Sequence, residues 1–233
     1  GTFNHPEKRE FSISALSYDA NGTLWIGERK GGLWKLNQKG LKEIILPDYN
    51  NNQPITTINT EKENPVIWVG TEGNGLFRID LTEGTSLHFD ARNGLTSGII
   101  LKIIHDNSGD LLVGTHGGGL IWLTRNRVRT YTRQDGLADN SVTGLCTDPG
   151  GNVYIGHENG KVSRYSSGSF TDFSRFLGSP GTPVFSIACN AGSLLAATIG
   201  PLILYDGKTR KEINFCSQIG NSLYHALFFS SNG

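Results

Sequence analysis

Four acidic side chains, Glu28, Glu72, Asp139 and Glu158, are the residues of this sequence that could cleave a glycosidic bond. That chemistry needs two carboxylates at a fixed separation in a dry pocket, and no spacing among the four singles out a pair. The six histidines (His5, His88, His105, His116, His157 and His225) are scattered along the chain. His116 and His157 read as loop or strand-end residues rather than metal ligands. Cys146, Cys189 and Cys216 make no disulfide framework and no metal spacing, and read as small buried hydrophobes. There is no nucleophile elbow, zinc-protease helix or phosphate-binding loop. No catalytic residue, metal or cofactor is expected.

Arg125, Arg127 and Arg129 alternate in "TRNRVRTYTR" and should share one face of a strand. Such charges suit an outermost edge strand, where they discourage sheet-to-sheet pairing. They could also dock a partner domain or an acidic sugar. Lys plus Arg and Asp plus Glu both number 21, so no net field draws the chain to nucleic acid or an anionic membrane. No apolar run is long enough to cross a bilayer.

The elements that must carry these residues come from a repeat. "GTLWIGERKGGLWKL", "PVIWVGTEGNGLFRI", "GDLLVGTHGGGLIWL", "GNVYIGHENGKVSRY" and a degraded "SLLAATIGPLILYD" share one grammar. Their small residues Gly27, Gly70, Gly114, Gly156 and Ala197 are spaced by 43, 44, 42 and 41. Short β-branched and aromatic runs alternate with Asp/Asn/Gly turns, which reads as strands joined by hairpins. Glycine is abundant, at 31 residues against 8 prolines, and no run keeps a helical period. Four strands per ~42 residues is the period of a β-propeller blade.

The fold class is therefore all-β, with five four-stranded blades over 11–48, 55–90, 98–133, 141–174 and 183–217. A sixth blade should begin at 222–233, because Gly233 lies 211 residues, five periods, after the turn glycine Gly22. The expectation is an incomplete piece of a larger, seven-bladed propeller, with Ser222–Phe229 as an orphan strand. Open blade faces should make such a piece prone to aggregation. Trp25, Trp68 and Tyr154, with Leu112 and Leu195, precede the small residue by two and should pack between blades. The glycines should let neighbouring backbones approach closely.

"FDARNGLTSGIILKIIHDNSGDLLVGTHGGGLIWL" and "YTRQDGLADNSVTGLCTDPGGNVYIGHENGKVSRY" resemble the two-component regulator propeller repeat. The matching pieces are Gly94-Leu95, Gly136-Leu137, the turns at Asp106 and Asp148, and "GTEGNGL". The second unit departs from the pattern, having "EKENP" where the Asp turn belongs. The resemblance implies a periplasmic ligand-sensing domain of a two-component histidine kinase, responding to glycans or oligosaccharides. It also implies further blades and an immunoglobulin-like domain as neighbours. A structural scaffold that mediates dimerisation, with a homodimer as partner, is a rival reading. A diguanylate cyclase sensor and a sialidase-like enzyme are the alternatives. In a propeller, the loops from second to third strand and from fourth strand to the next blade share one face. Arg29, Glu72, Asn74, His116, Asn140 and Glu158 lie in those loops and are the expected ligand-binding residues.

Overall fold

The computed structural model describes residues 11–49, 52–61, 63–124, 127–190 and 192–213. The expected sixth blade at 222–233, His5, His225, Cys216 and Arg125 lie outside the described residues.

Five four-stranded antiparallel sheets follow one another along the chain. The first holds β1 (Ile13–Tyr18), β2 (Leu24–Glu28), β3 (Leu33–Asn37) and β4 (Gly40–Ile44). The second holds β5 (Ile55–Thr60), β6 (Val66–Thr71), β7 (Leu76–Asp80) and β8 (Thr85–Phe89). β9 (Ile100–His105), β10 (Leu111–Thr115), β11 (Leu120–Leu123) and β12 (Val128–Tyr131) form the third. β13 (Val142–Thr147), β14 (Val153–His157), β15 (Val162–Ser166) and β16 (Ser169–Asp172) form the fourth. The last holds β17 (Val184–Asn190), β18 (Ser193–Thr198), β19 (Leu202–Tyr205) and β20 (Arg210–Ile213). Each sheet is a simple meander, and the first strands pack side by side in the order β1, β5, β9, β13, β17. These are β-propeller blades, and the expected fold class is borne out. One short helix, α1 (Ser174–Leu177), joins the fourth blade to the fifth and buries Leu177.

In the first four blades the first hairpin is organised by a carboxylate. Asp19 Oδ1 accepts the Asn21 and Thr23 amides, while Oδ2 accepts the Trp25 indole N–H at 3.0 Å. Burial opposes ionisation of Asp19, but these donors prevail and hold its carboxyl below the usual range. Asp148 does the same, reaching the Tyr154 hydroxyl at 3.2 Å. In the second blade Glu61 replaces the missing Asp, and its longer side chain reaches the Trp68 indole at 2.9 Å. The departure from the repeat at "EKENP" is thus compensated by one extra methylene.

Every core cluster straddles two successive blades. Trp25 packs with Ile55, Ile58 and Phe77. Trp68 packs with Ile100, Ile103 and Ile121, and Leu112 with Val142 and Leu145. Tyr154 packs with Val184 and Ile187. Leu195 departs from this pattern: it is only half-buried, and Leu194 joins the core in its place. The shared glycines serve a related purpose, with one correction. What approaches them is chiefly a β-branched side chain rather than backbone. A Cβ at Gly70 would lie 2.6 Å from Ile100 Cγ2, and one at Gly156 2.8 Å from Val184 Cγ1. Each of the first four blades therefore has a socket for the first residue of the next blade's inner strand.

That residue is fully buried as Ile55, Ile100, Val142 and Val184, whereas its counterpart Ile13 is 47% exposed. Leu16 is likewise 55% exposed although Ile58, Ile103, Leu145 and Ile187 are buried. The apolar face of β1 is thus bare, because no described blade precedes it. The Gly-Leu pair of the repeat also acquires a role. Gly136, at φ +105°, ends a capped 3-10 turn in the left-handed region, and Leu137 drops into the core.

The cysteine expectation is corrected. Cys146 on β13 and Cys189 on β17 form a disulfide, their Cα atoms 6.0 Å apart. The blades bring equivalent stretches of neighbouring inner strands together, so cysteines one repeat apart can bond. The arginine reading is corrected as well. Arg127 sits in the turn closed by Thr124 rather than in the strand. Only Arg129 lies on β12, with its guanidinium 4.5 Å from the Tyr131 ring centroid.

Candidate functional site

The residue after each second strand occupies one recurring position. Its amide donates to a carbonyl at the entry of that blade's first strand. The bonds are Arg29 to Ser12 at 2.7 Å, Glu72 to Pro54 at 2.9 Å, His116 to Ile99 at 3.0 Å and Glu158 to Ser141 at 3.3 Å. Four of the six expected site residues are thereby fixed as equivalents on one rim, with exposed side chains.

The structure sorts these four into two pairs. Arg29 and Glu72 line one cavity of about 450 Å³ at the starting ends of the inner strands. Its wall draws on all five blades, through residues such as Ile13, Thr57, Lys102, Thr143 and Phe185. His116 and Glu158 pair with each other, Nδ1 to Oε2 at 3.3 Å, each side chain about half exposed at 49% and 50%. A contact so exposed adds little stability, so its groups remain able to meet a ligand.

The other two expected residues mainly hold the loops in shape. The Asn74 backbone amide donates to the Thr71 hydroxyl oxygen, and its side chain donates to the Asp48 carbonyl at 3.4 Å. Its carbonyl meets His88 Nε2 at 2.6 Å. Asn140 Oδ1 accepts the Arg133 amide at 2.8 Å, and its carbonyl accepts the Gly119 amide. Asn140 also borders a shallow cleft with Thr132, Arg133 and Gln134, apart from the cavity of Arg29 and Glu72. Trp122 and Tyr131 offer no stacking platform on the rim. Trp122 packs edge-on against both Tyr131 and Tyr165.

Two features escaped sequence reasoning. Lys102 lines the rim cavity from within an apolar strand. A second cavity, about 680 Å³, opens at the far ends of the inner strands beside Asn59, Glu61, His105 and Asp106. In sequence, the first-to-second-strand turns that frame it carry only the signature of hairpins. Among the described residues no group of three His, Cys, Asp or Glu side chains could hold a metal ion.

One histidine is committed to the scaffold. His157 is fully buried at the end of β14, with Nε2 2.9 Å from Ser163 Oγ and Nδ1 3.3 Å from the Ser141 carbonyl oxygen. Burial pushes its pKa down to about 4. The folded protein thus resists a proton that the unfolded chain binds near pH 6.5, so stability is full above that pH and declines below it. We expect a loss of ~2 kcal/mol between pH 7 and pH 5, abolished in His157→Gln. Urea denaturation at the two pH values checks this, and equal pH dependence in both proteins would refute it.

No protein-family model matches the chain, and no curated protein matches its sequence. Solved structures do match the fold. Virginiamycin B lyase from Staphylococcus aureus superposes with a TM-score of 0.73 at 14% identity, over 91% of this chain and 72% of the lyase. The extracellular domain assigned to the hybrid two-component system BT4673 of B. thetaiotaomicron gives 0.61 at 21% identity, over 93% of this chain. That of BT3049 from the same organism gives 0.56 at 15% identity, over 94%. The chain spans 35% and 37% of the length of those two domains. At such identities the likeness is one of fold.

Proposed function

We propose that this chain is a ligand-sensing part of an extracytoplasmic propeller in a two-component sensor, and that its ligand is a glycan or oligosaccharide. The observation that carries the reading is the rim. Four blades place a charged or ionisable side chain (Arg29, Glu72, His116, Glu158) at one equivalent position, and two of them, Arg29 and Glu72, line a cavity of ligand size. Conserving strand geometry while varying chemistry at one loop position suits recognition. The likeness to the extracellular sensor domains supports it. The Cys146–Cys189 disulfide favours an oxidising compartment such as the periplasm. Among the described residues no helix is long and apolar enough to cross a membrane. Kinase or cyclase output, further blades and an immunoglobulin-like domain would then be neighbours of this chain, with a homodimer as the signalling unit.

The competing reading is an enzyme. It draws on the lyase fold likeness and on the His116–Glu158 pair, which could move a proton at the rim. Calorimetric titration with an oligosaccharide library separates the two. Binding without turnover is expected, weakened at least ~10-fold in Glu72→Ala or His116→Ala. Product formation that stops in His116→Ala would establish the enzyme. Unchanged affinity in both variants would move the ligand off this face.

A further inference from the structure

In each blade one residue of the inner strand pairs with the shared small residue of the second strand. These residues are Ala15, Thr57, Lys102, Gly144 and Ser186, opposite Gly27, Gly70, Gly114, Gly156 and Ala197. Four of the five are small, and the third blade puts a lysine in the slot. Lys102 is half-buried and lines the rim cavity. Among the described residues no ion pair or hydrogen bond engages its ammonium. A cation withdrawn from water without a counter-charge is costly, and desolvation lowers the Lys102 pKa accordingly.

The rest of the wall cannot supply that counter-charge. Glu72 lines the same cavity but lies outside ion-pair distance of Lys102. The hydroxyls of Ser14, Thr56 and Thr143 are already spent as donors. They reach the carbonyls of Ile55, Ile100 and Val184 on the next inner strands at 2.6, 2.5 and 2.5 Å. Lys102 and Arg29 are therefore the charged donors left in the cavity, and Glu72 is its charged acceptor.

Resting on the sensor reading, we infer that the ligand is an anionic saccharide, whose carboxylate or sulfate ester is held by Lys102 with Arg29 while Glu72 accepts from ring hydroxyls. The anion restores the charge balance that burial of Lys102 upsets, and an acceptor in the same cavity distinguishes a sugar acid from a simple ion.

Titration of the chain with D-glucuronate, D-glucose and inorganic sulfate at low ionic strength tests this. Glucuronate is expected to bind at least ~10-fold more tightly than glucose, and sulfate to compete with it. Lys102→Gln should erase the preference, Lys102→Arg should restore it, and both should melt like the parent. Sulfate binding as tightly as glucuronate would show a bare anion site and overturn the saccharide. A preference that is absent, or that survives in Lys102→Gln, would overturn the role of Lys102. Neutral oligosaccharide binding that depends on Glu72 but not Lys102 would overturn this inference and leave the sensor reading standing. No binding of any saccharide to the rim would remove both.

Discussion

Trp25→Ala is expected to cost about 3–5 kcal/mol of stability, as truncation of a buried aromatic commonly does. Trp25 is 2% exposed and sits where the first two blades meet, against Leu33, Ile55, Ile58 and Phe77. Its indole also donates to Asp19 Oδ2, in the turn that closes the first hairpin. Alanine would open a cavity between two sheets and strip the Asp19 carboxylate of one donor. Neither blade can close the gap alone, because each sheet is pinned to the other by Ile55 seated over Gly27. For a chain of this size the loss corresponds to a melting temperature lower by roughly 6–20 °C. Trp25→Phe retains most of the volume and loses only the hydrogen bond, so it should cost about 1 kcal/mol. Thermal denaturation of the three proteins decides the matter. A Trp25→Ala protein melting like the parent would remove the inter-blade role assigned to this position.

Trp25 was legible in the sequence because the blade is the unit that repeats. Packing between sheets is a relation between one repeat and the next, so it imprints itself as a period, and Trp25, Trp68, Tyr154 and the paired glycines stand out. The rim positions were legible for the same reason, since Arg29, Glu72, His116 and Glu158 each follow the shared glycine by two. What the repeat could not supply is the direction of an individual side chain. Lys102 lies in "GIILKIIHD", an apolar run that reads simply as a strand. It lies beside a shift in pairing that recurs in every blade, here between Gly114 and Thr115, where the partner changes from Lys102 to Ile100. Such a bulge breaks the two-residue alternation on which facing is judged. Asn74 and Asn140 are engaged in their own loops, which the repeat does not foretell either. Their loops must satisfy their own backbone groups, and an asparagine is well suited to that work.

Replacing both Cys146 and Cys189 by serine is expected to cost about 2–4 kcal/mol, and reduction of the parent should reproduce most of that loss. The disulfide spans 43 residues, one repeat of the chain, between the inner strands of the fourth and fifth blades. Closing a loop of that length removes roughly 4 kcal/mol of unfolded-chain entropy in the simple chain model. The first and second blades provide an internal comparison. There the equivalent residues are Ser17 and Thr60, whose hydroxyls lie 3.4 Å apart. A contact of that kind contributes at most about 1 kcal/mol, so Ser17→Ala should shift stability far less than the cysteine pair. Urea midpoints measured with and without reductant, for the parent, the double serine variant and Ser17→Ala, give the ranking directly. Peptide mapping of unreduced protein should recover Cys146 and Cys189 in one linked species. If both instead alkylate in the folded, unreduced protein, the bond does not form, and the support it lends to an oxidising compartment falls with it. If the bond forms but its loss costs nothing, the fifth blade is held by the packing of Val184 and Ile187 against Tyr154 and by the Thr143 hydroxyl on the Val184 carbonyl.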